Sequence, residues 1–253
     1  MNLVYQYYIT DEPYPLSLEY SCQFAAEYAE KNEAEYLFQE KSFLPDETEK
    51  YWKDGLVYHD ICRLWKDPLF DNYDYILYLD CDVIALPNAS NIFNLNPKHV
   101  AGWTERKPKN SIITGFHPFG SDHYRDIKKS FAEFNAPLIQ SKYKEVSTRI
   151  LNSGVLLWSK EARLIAREKF ENWKKWYDRP EYEFWVVLDQ IYLSAMFNKY
   201  ELDVMELDDE WNITPSFFET GIAPEYSNFL HFSKPDNEDL VRYVKKNVLK
   251  GKK

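Results

Sequence analysis

The sequence predicts an α/β fold with a mostly parallel central sheet and helices on both faces. Three observations carry that prediction. The run Tyr75-Ile76-Leu77-Tyr78-Leu79 is apolar and aromatic without alternation, the pattern of a strand buried on both faces. Strand-like and helix-like segments alternate in β-α-β-α-β order through the N-terminal third, which implies a parallel, three-layer unit. The central run then ends abruptly in Asp80 and Asp82. Open α/β sheets place their ligands there, outside the carboxyl ends of the strands.

Taken in order, residues 2–10 read as the first strand and Leu16–Lys31 as a helix with one apolar face. A short strand is expected at 35–39, and a helix over 57–65 leads into the central strand. Another strand is expected at 100–103. Residues 105–120 contain Pro, Gly and polar residues and read as a long loop, a length that is usually functional when ordered. Further on come a strand at 150–158, a helix at 160–177 rich in Lys, Glu and Trp, and a second helix at 184–198. Strands at 202–207 and 228–232 complete the series. There is no internal repeat, low-complexity tract or linker, and 253 residues can bury one sizeable core. A single domain over residues 1–253 is expected.

Apolar content of 45% and charged content of 28% are ordinary for a globular protein. Aromatic content is not: 20 Tyr, 16 Phe and 8 Trp give amphipathic surfaces suited to stacking on bases and sugars, besides filling the core. A net charge of −10 argues against a nucleic-acid partner, which would select a basic face. Cys22, Cys62 and Cys81 are scattered and odd in number, which fits free thiols in a reducing compartment and not a zinc site. No leader-like segment opens the chain and no apolar run is long enough to cross a membrane, so a cytoplasmic protein is expected. The sequons at Asn88 and Asn212 then carry no meaning. Five lysines between Lys245 and Lys253 suit either weak contact with an anionic surface or a solvated helix end.

The Asp80/Asp82 pair is the main candidate for chemistry. Two like charges at a half-buried strand end repel, and keeping both ionised is costly without a cation. Hard carboxylate oxygens suit Mn²⁺ or Mg²⁺, which keep positions open for phosphate oxygens. A solvated turn is the alternative. The buried strand in front of the pair favours a metal–diphosphate site.

Five further segments, in order, share a resemblance with that pair. They are Ile9-Thr10-Asp11-Glu12-Pro13-Tyr14, Arg63 in His59-Asp60-Ile61-Cys62-Arg63-Leu64, Asn152-Ser153-Gly154-Val155, Asp189-Gln190 and His231-Phe232-Ser233-Lys234-Pro235. With Asp80-Cys81-Asp82, the series resembles the retaining, metal-dependent glycosyltransferases of the glycogenin and bacterial galactosyltransferase type, glycosyltransferase family 8. The resemblance implies a GT-A (nucleotide-diphospho-sugar transferase) fold. It also implies Mn²⁺ or Mg²⁺ as cofactor, a nucleoside diphosphate sugar as donor, and a hydroxyl on a glycan or glycoconjugate as acceptor.

By that resemblance Thr10 reads the base edge and Tyr14 stacks on the base, while Arg63 and Lys234 hold the diphosphate. Asp80, Asp82 and His231 bind the metal, with Asp80 also reaching the ribose, and Cys81 only packs. Asn152 and Gly154 line the donor sugar, where the glycine admits close backbone approach. Asp189 bonds the sugar hydroxyls and Gln190 faces the developing oxocarbenium ion. The last segment departs from the family pattern: its Gly is missing, its Lys comes early, and Asp236 stands where Trp would. UDP is the expected nucleotide. Residues 105–147 match no family motif and are expected to form the acceptor side and a mobile lid.

Three rivals are weighed beside this one. Leu79-Asp80-Cys81-Asp82 also looks like the first motif of haloacid-dehalogenase-type phosphatases, with Asp208-Asp209 as a late acidic pair. Their motif wants Thr or Val where Ile84 stands, and it normally opens the chain. A sugar nucleotidyltransferase would want a Gly-rich basic loop after strand one, whereas this chain has 7 Gly in all and Pro13 at that place. A non-catalytic nucleotide-sugar-binding protein would have no need of Asp189-Gln190.

Overall fold

The computed structural model describes residues 1–10, 13–43, 57–104, 151–173, 188–213, 227–232 and 238–248. Its first half runs β1 (Asn2–Tyr7), α1 (Leu16–Lys31), β2 (Ala34–Gln39), α2 (Arg63–Lys66), β3 (Tyr75–Leu79), β4 (Val83–Ala85) and β5 (Val100–Thr104). The second half runs β6 (Leu151–Ser159), α3 (Lys160–Lys169), α4 (Leu188–Lys199), β7 (Val204–Glu206), β8 (Phe229–His231) and α5 (Glu238–Tyr243). Six strands form one sheet in the order β2-β1-β3-β6-β5-β7. Pairings β1–β2, β1–β3 and β5–β7 are parallel, while β6 runs antiparallel to both its neighbours. The sheet is thus mostly parallel with one reversed strand, and β3 lies inside it, not at an edge.

Side-chain alternation builds two cores from this sheet. Leu3, Tyr5 and Tyr7 of β1, Ile76 and Tyr78 of β3, and Leu156 and Trp158 of β6 share one cluster with Trp65 of α2 and Ala162 and Ala166 of α3. Val4, Leu77, Leu79, Val155 and Leu157 point the other way and pack on Phe24, Ala25 and Tyr28 of α1. Helices therefore cover both faces, which is why the central run is apolar without alternation. The first cluster is aromatic: the Trp65 and Trp158 rings stack with centroids 5.6 Å apart.

Several expected boundaries shift for local reasons. The 57–65 segment opens as a 3₁₀ turn, Val57–Cys62, and α2 stops at Lys66. Asp67 precedes Pro68, which forces it into an extended conformation, and its carboxylate caps the next turn through the Leu69 N–H. The expected helix over 160–177 ends at Lys169, because Phe170 turns inward against Trp65, Tyr192, Phe197 and Tyr200. The side chain of Ser159 caps its start by accepting from the Ala162 N–H. At the end of α1, Asn32 Nδ2 donates to the Tyr28 carbonyl and Glu33 takes a left-handed φ of 54°, turning the chain into β2.

A second, two-stranded sheet pairs β4 with β8, antiparallel, in the register Val83↔His231. No helix among the described residues is long and apolar enough to cross a membrane. Cys22, Cys62 and Cys81 form no disulfide among the described residues. Lys245 and Lys246 lie exposed in a π-helical turn after α5, and residues 249–253 lie outside the described residues.

Candidate metal and donor site

The turn after β3 is held from three directions. The Val83 N–H donates to the Asp80 carbonyl at 3.1 Å, closing the turn, and the Asp80 N–H donates to the Gly154 carbonyl of β6 at 2.9 Å. Buried Gln6 of β1 donates to the same Asp80 carbonyl at 3.1 Å, and Ser21 of α1 donates to the Val83 carbonyl at 2.6 Å. Cys81 is packed as expected, and its thiol donates to the Tyr7 carbonyl at 3.0 Å. Each of these bonds fixes backbone that water would otherwise solvate. The turn that carries the two Asp side chains is thereby held in a hydrogen-bonded frame.

The register of the small sheet then supplies a third ligand. With His231 opposite Val83, its Nε2 lies 3.2 Å from Asp82 Oδ1 and 3.8 Å from Asp80 Oδ2. One ligand atom from each of Asp80, Asp82 and His231 falls within 4.8 Å of the others. Asp82 Oδ1 is buried and lacks a hydrogen-bond donor among the described residues. An orphaned carboxylate oxygen beside a second carboxylate and an imidazole nitrogen fits a hard divalent cation. Two oxygens and one nitrogen leave an octahedral ion room for phosphate oxygens.

The electrostatics agree. Burial and the Asp82 charge push Asp80 up to about 6, against the pull of His231 and a 2.6 Å bond from the Tyr78 hydroxyl. Asp189, in the first turn of α4, is 4% exposed and pushed up to about 7 by burial and by the Asp80 charge, opposed by a hydrogen bond with Ser153. Three carboxylates thus crowd one place, a strained arrangement that a dication would relieve.

The remaining predicted residues fall into place unevenly. Asn152 and Gln190 are both buried, at 6% and 8% exposure. Gly154 is nearer the metal ligands than expected: a Cβ there would lie 2.3 Å from His231 Cε1 and 3.0 Å from Asp80 Oδ2. The close approach it permits is therefore to His231. Tyr14 is half exposed, packs edge-on to Tyr8 and Phe38, and bonds Glu40 at 3.2 Å. Thr10 is part-buried beside it in sequence.

Arg63 sits in an internal network. Its Nε donates to Asp67 at 2.9 Å, its Nη1 to Gln39 at 2.7 Å, and its guanidinium lies 5.1 Å from the Phe70 ring centre. Among the described residues no ion pair joins it to Asp80 or Asp82. Lys234, Asp11, Glu12 and residues 105–147 lie outside the described residues.

Sequence reasoning missed Asn212. Its Oδ1 lies 3.0 Å from His231 Nδ1, and its Nδ2 donates to Asn152 Oδ1 at 2.8 Å. A sequon was the one local signal there, and Asn212 is fully buried, which bars it from modification in the folded state.

The order β2-β1-β3 places a topological switch point between β1 and β3, where such sheets bind nucleotides. The Asp pair follows β3 at that point, while Tyr14, which comes after β1, packs against Tyr8 and against Phe38 of β2. The sequence pattern of Glycosyl transferase family 8 matches residues 8–237. The chain belongs to glycosyl transferase family 8.

Among solved structures, this family 8 protein is similar to a glycosyltransferase involved in glycosylating the major capsid of PBCV-1. That match has 13% identity, covers 95% of this chain and 98% of the other, and has a TM-score of 0.59. It is also similar to the galactosyltransferase LgtC in complex with donor and acceptor sugar analogues, at 14% identity over 97% and 94% of the chains, with a TM-score of 0.54. A comparison with curated protein sequences finds no match. Likeness at this identity establishes the fold, which is GT-A. Family membership sets aside the phosphatase and nucleotidyltransferase alternatives.

Proposed function

We propose that this glycosyltransferase moves a hexose from a UDP-sugar to a hydroxyl on a glycan or glycoconjugate, with retention of anomeric configuration and dependence on Mn²⁺ or Mg²⁺. The observation that carries this is the convergence of Asp80, Asp82 and His231 at the carboxyl end of β3, with Asp189 beside them. An ion held by those three would stabilise the negative charge that develops on the leaving diphosphate.

The chain's own residues do the rest. The half-exposed Tyr14 ring, braced by Tyr8 and Phe38, offers a face for the base, with Thr10 at its edge. Arg63 and Lys234 are assigned to the diphosphate by family pattern. For Arg63 this means using donors that Asp67 and Gln39 do not engage. Asn152, Asp189 and Gln190 would orient the sugar, Asp189 by accepting from its hydroxyls and Gln190 by turning its amide oxygen to the anomeric carbon. Residues 105–147 are proposed for acceptor recognition and closure over the donor. We place the protein in the cytoplasm, acting as a single domain.

Asp82→Ala tests the central claim. Calorimetry should show loss of Mn²⁺-dependent UDP binding, with the far-UV circular dichroism unchanged. Unaltered UDP–Mn²⁺ affinity in that variant overturns the proposal.

A further inference from the structure

We infer that Asn212 is a positioning residue that sets which nitrogen of His231 carries the proton, and so aims a bare Nε2 lone pair at the acidic pair. This rests on reading Asp80, Asp82 and His231 as the metal site, and it concerns a residue outside the segments that carry the family resemblance.

The argument starts from a group whose polarity is fixed. The backbone N–H of Gly154 can only donate, and it donates to Asn152 Oδ1 at 3.0 Å. That identifies the atom facing it as the amide oxygen, an acceptor. The same oxygen lies 2.8 Å from the Asn212 amide, which must therefore present its NH₂ group. Once Nδ2 of Asn212 faces Asn152, its Oδ1 faces His231 Nδ1 at 3.0 Å. A carbonyl oxygen has nothing to donate, so Nδ1 carries the proton. In the neutral ring Nε2 is then unprotonated, 3.2 Å from Asp82 Oδ1.

One backbone amide in β6 thus dictates, through two side-chain amides, the tautomer of a ring in β8. The arrangement is rigid. Asn212 is fully buried, and its neighbour Ile213 bonds β8 at both ends, accepting from the His231 N–H at 2.8 Å and donating to the Phe229 carbonyl at 3.1 Å. In the neutral tautomer Nε2 and Asp82 Oδ1 are two acceptors facing each other at 3.2 Å, an arrangement that favours a cation between them. Metal-ligating histidines commonly give their other N–H to an oxygen, and losing that partner typically costs 10- to 100-fold in metal affinity. The expected loss here is of that order, roughly ten- to a hundredfold.

Two measurements on the full chain decide it. In wild-type protein with ¹⁵N-labelled histidine, long-range ¹H–¹⁵N correlation should show the neutral His231 ring with its proton on Nδ1; a proton on Nε2 overturns the inference. Mn²⁺ affinity, followed by the electron paramagnetic resonance of free Mn²⁺, is compared next between wild type, Asn212→Ala and Asn212→Asp. The alanine variant should bind Mn²⁺ roughly ten- to a hundredfold more weakly. The aspartate variant, which keeps an acceptor for Nδ1–H, should recover most of the affinity.

Equal affinity in all three proteins overturns the inference while leaving the metal site intact. Weak binding by the aspartate variant, equal to that of the alanine variant, assigns Asn212 to packing and overturns it too. Failure of wild type to bind Mn²⁺ at all would instead defeat the metal reading, and the tautomer measurement would still judge Asn212. Should Asn212→Ala not fold, that measurement on wild type stands alone.

Discussion

Asp189 illustrates how a single residue sets function against stability. Burial and the Asp80 charge hold its carboxyl up to about 7, whereas in the unfolded chain it titrates near its ordinary value of 3.8. Between those two values the native state keeps a proton that the unfolded state has lost. The associated stability is therefore fully present below about pH 4 and drains away as pH rises through about 7. Asp189→Asn carries no charge to bury, so the metal-free variant should be more stable than wild type at pH 8, with the gap closing near pH 4. Burying the ionised carboxylate makes that difference on the order of a few kcal/mol at pH 8. Thermal melts at both pH values check the sign; a less stable variant at pH 8 would show that no such penalty exists. Transfer activity should fall on the order of a hundredfold despite the gain, as expected where a polar contact serves the transition state. The Asp80/Asp82 pair was legible in the sequence because two carboxylates close a buried apolar run, whereas Asp189 and His231 were singled out only through the resemblance to the family pattern. Asn212 was legible in neither way, since its partners come from β6 and β8 and no local spacing encodes that meeting.

Gly154 makes the equivalent point for an element. Strand β6 is paired on both sides, by β3 and β5, and its side chains are buried from Leu151 to Ser159. A methyl at position 154 leaves those ladders intact but meets His231 Cε1 at 2.3 Å and Nδ1 at 2.8 Å. Either the ring moves or the small β4–β8 sheet does. Gly154→Ala should fold, lose about 1–3 kcal/mol as overpacked sites do, and bind Mn²⁺ more weakly than wild type. Calorimetric titration with Mn²⁺ beside a thermal melt reads both; unchanged metal affinity would mean that His231 does not need the space. Patterning revealed α1 and β3 to the residue and β6 within one residue at each end because each buries a long regular face, whereas β1 stops at Tyr7, short of the expected end at residue 10. It could not reveal that β6 is reversed, since alternation carries no direction. Nor did it mark β4, whose three residues are too few to show a period. The early end of α3 at Phe170 shows tertiary packing overriding a helical run, where an aromatic cluster wins over one more turn.

At the scale of the molecule, the site joins parts of the chain that the sheet order alone would leave independent. Asp80 and Asp82 follow the central strand, whereas His231 arrives on a strand that pairs with β4, outside the six-stranded sheet. An ion bound by all three is bound only by the folded chain, because the unfolded chain cannot bring these residues together. Binding therefore appears as stability. At a free Mn²⁺ concentration about 100 times the dissociation constant, the gain is about 2.7 kcal/mol. For a chain of this size each kcal/mol moves the melting temperature by roughly 2–4 °C, which predicts a rise of roughly 5–10 °C. The rise should grow with pH between about 5 and 8, because Asp80 and Asp189, held up to about 6 and about 7, are then losing their protons and the ion neutralises the resulting charge. Differential scanning calorimetry with and without Mn²⁺ at pH 5.5 and 8 measures this, with Asp82→Ala as the control. A shift of equal size in that variant would place the stabilising ion elsewhere on this acidic surface. A shift confined to wild type and larger at pH 8 requires the three carboxylates and His231 to act as one centre.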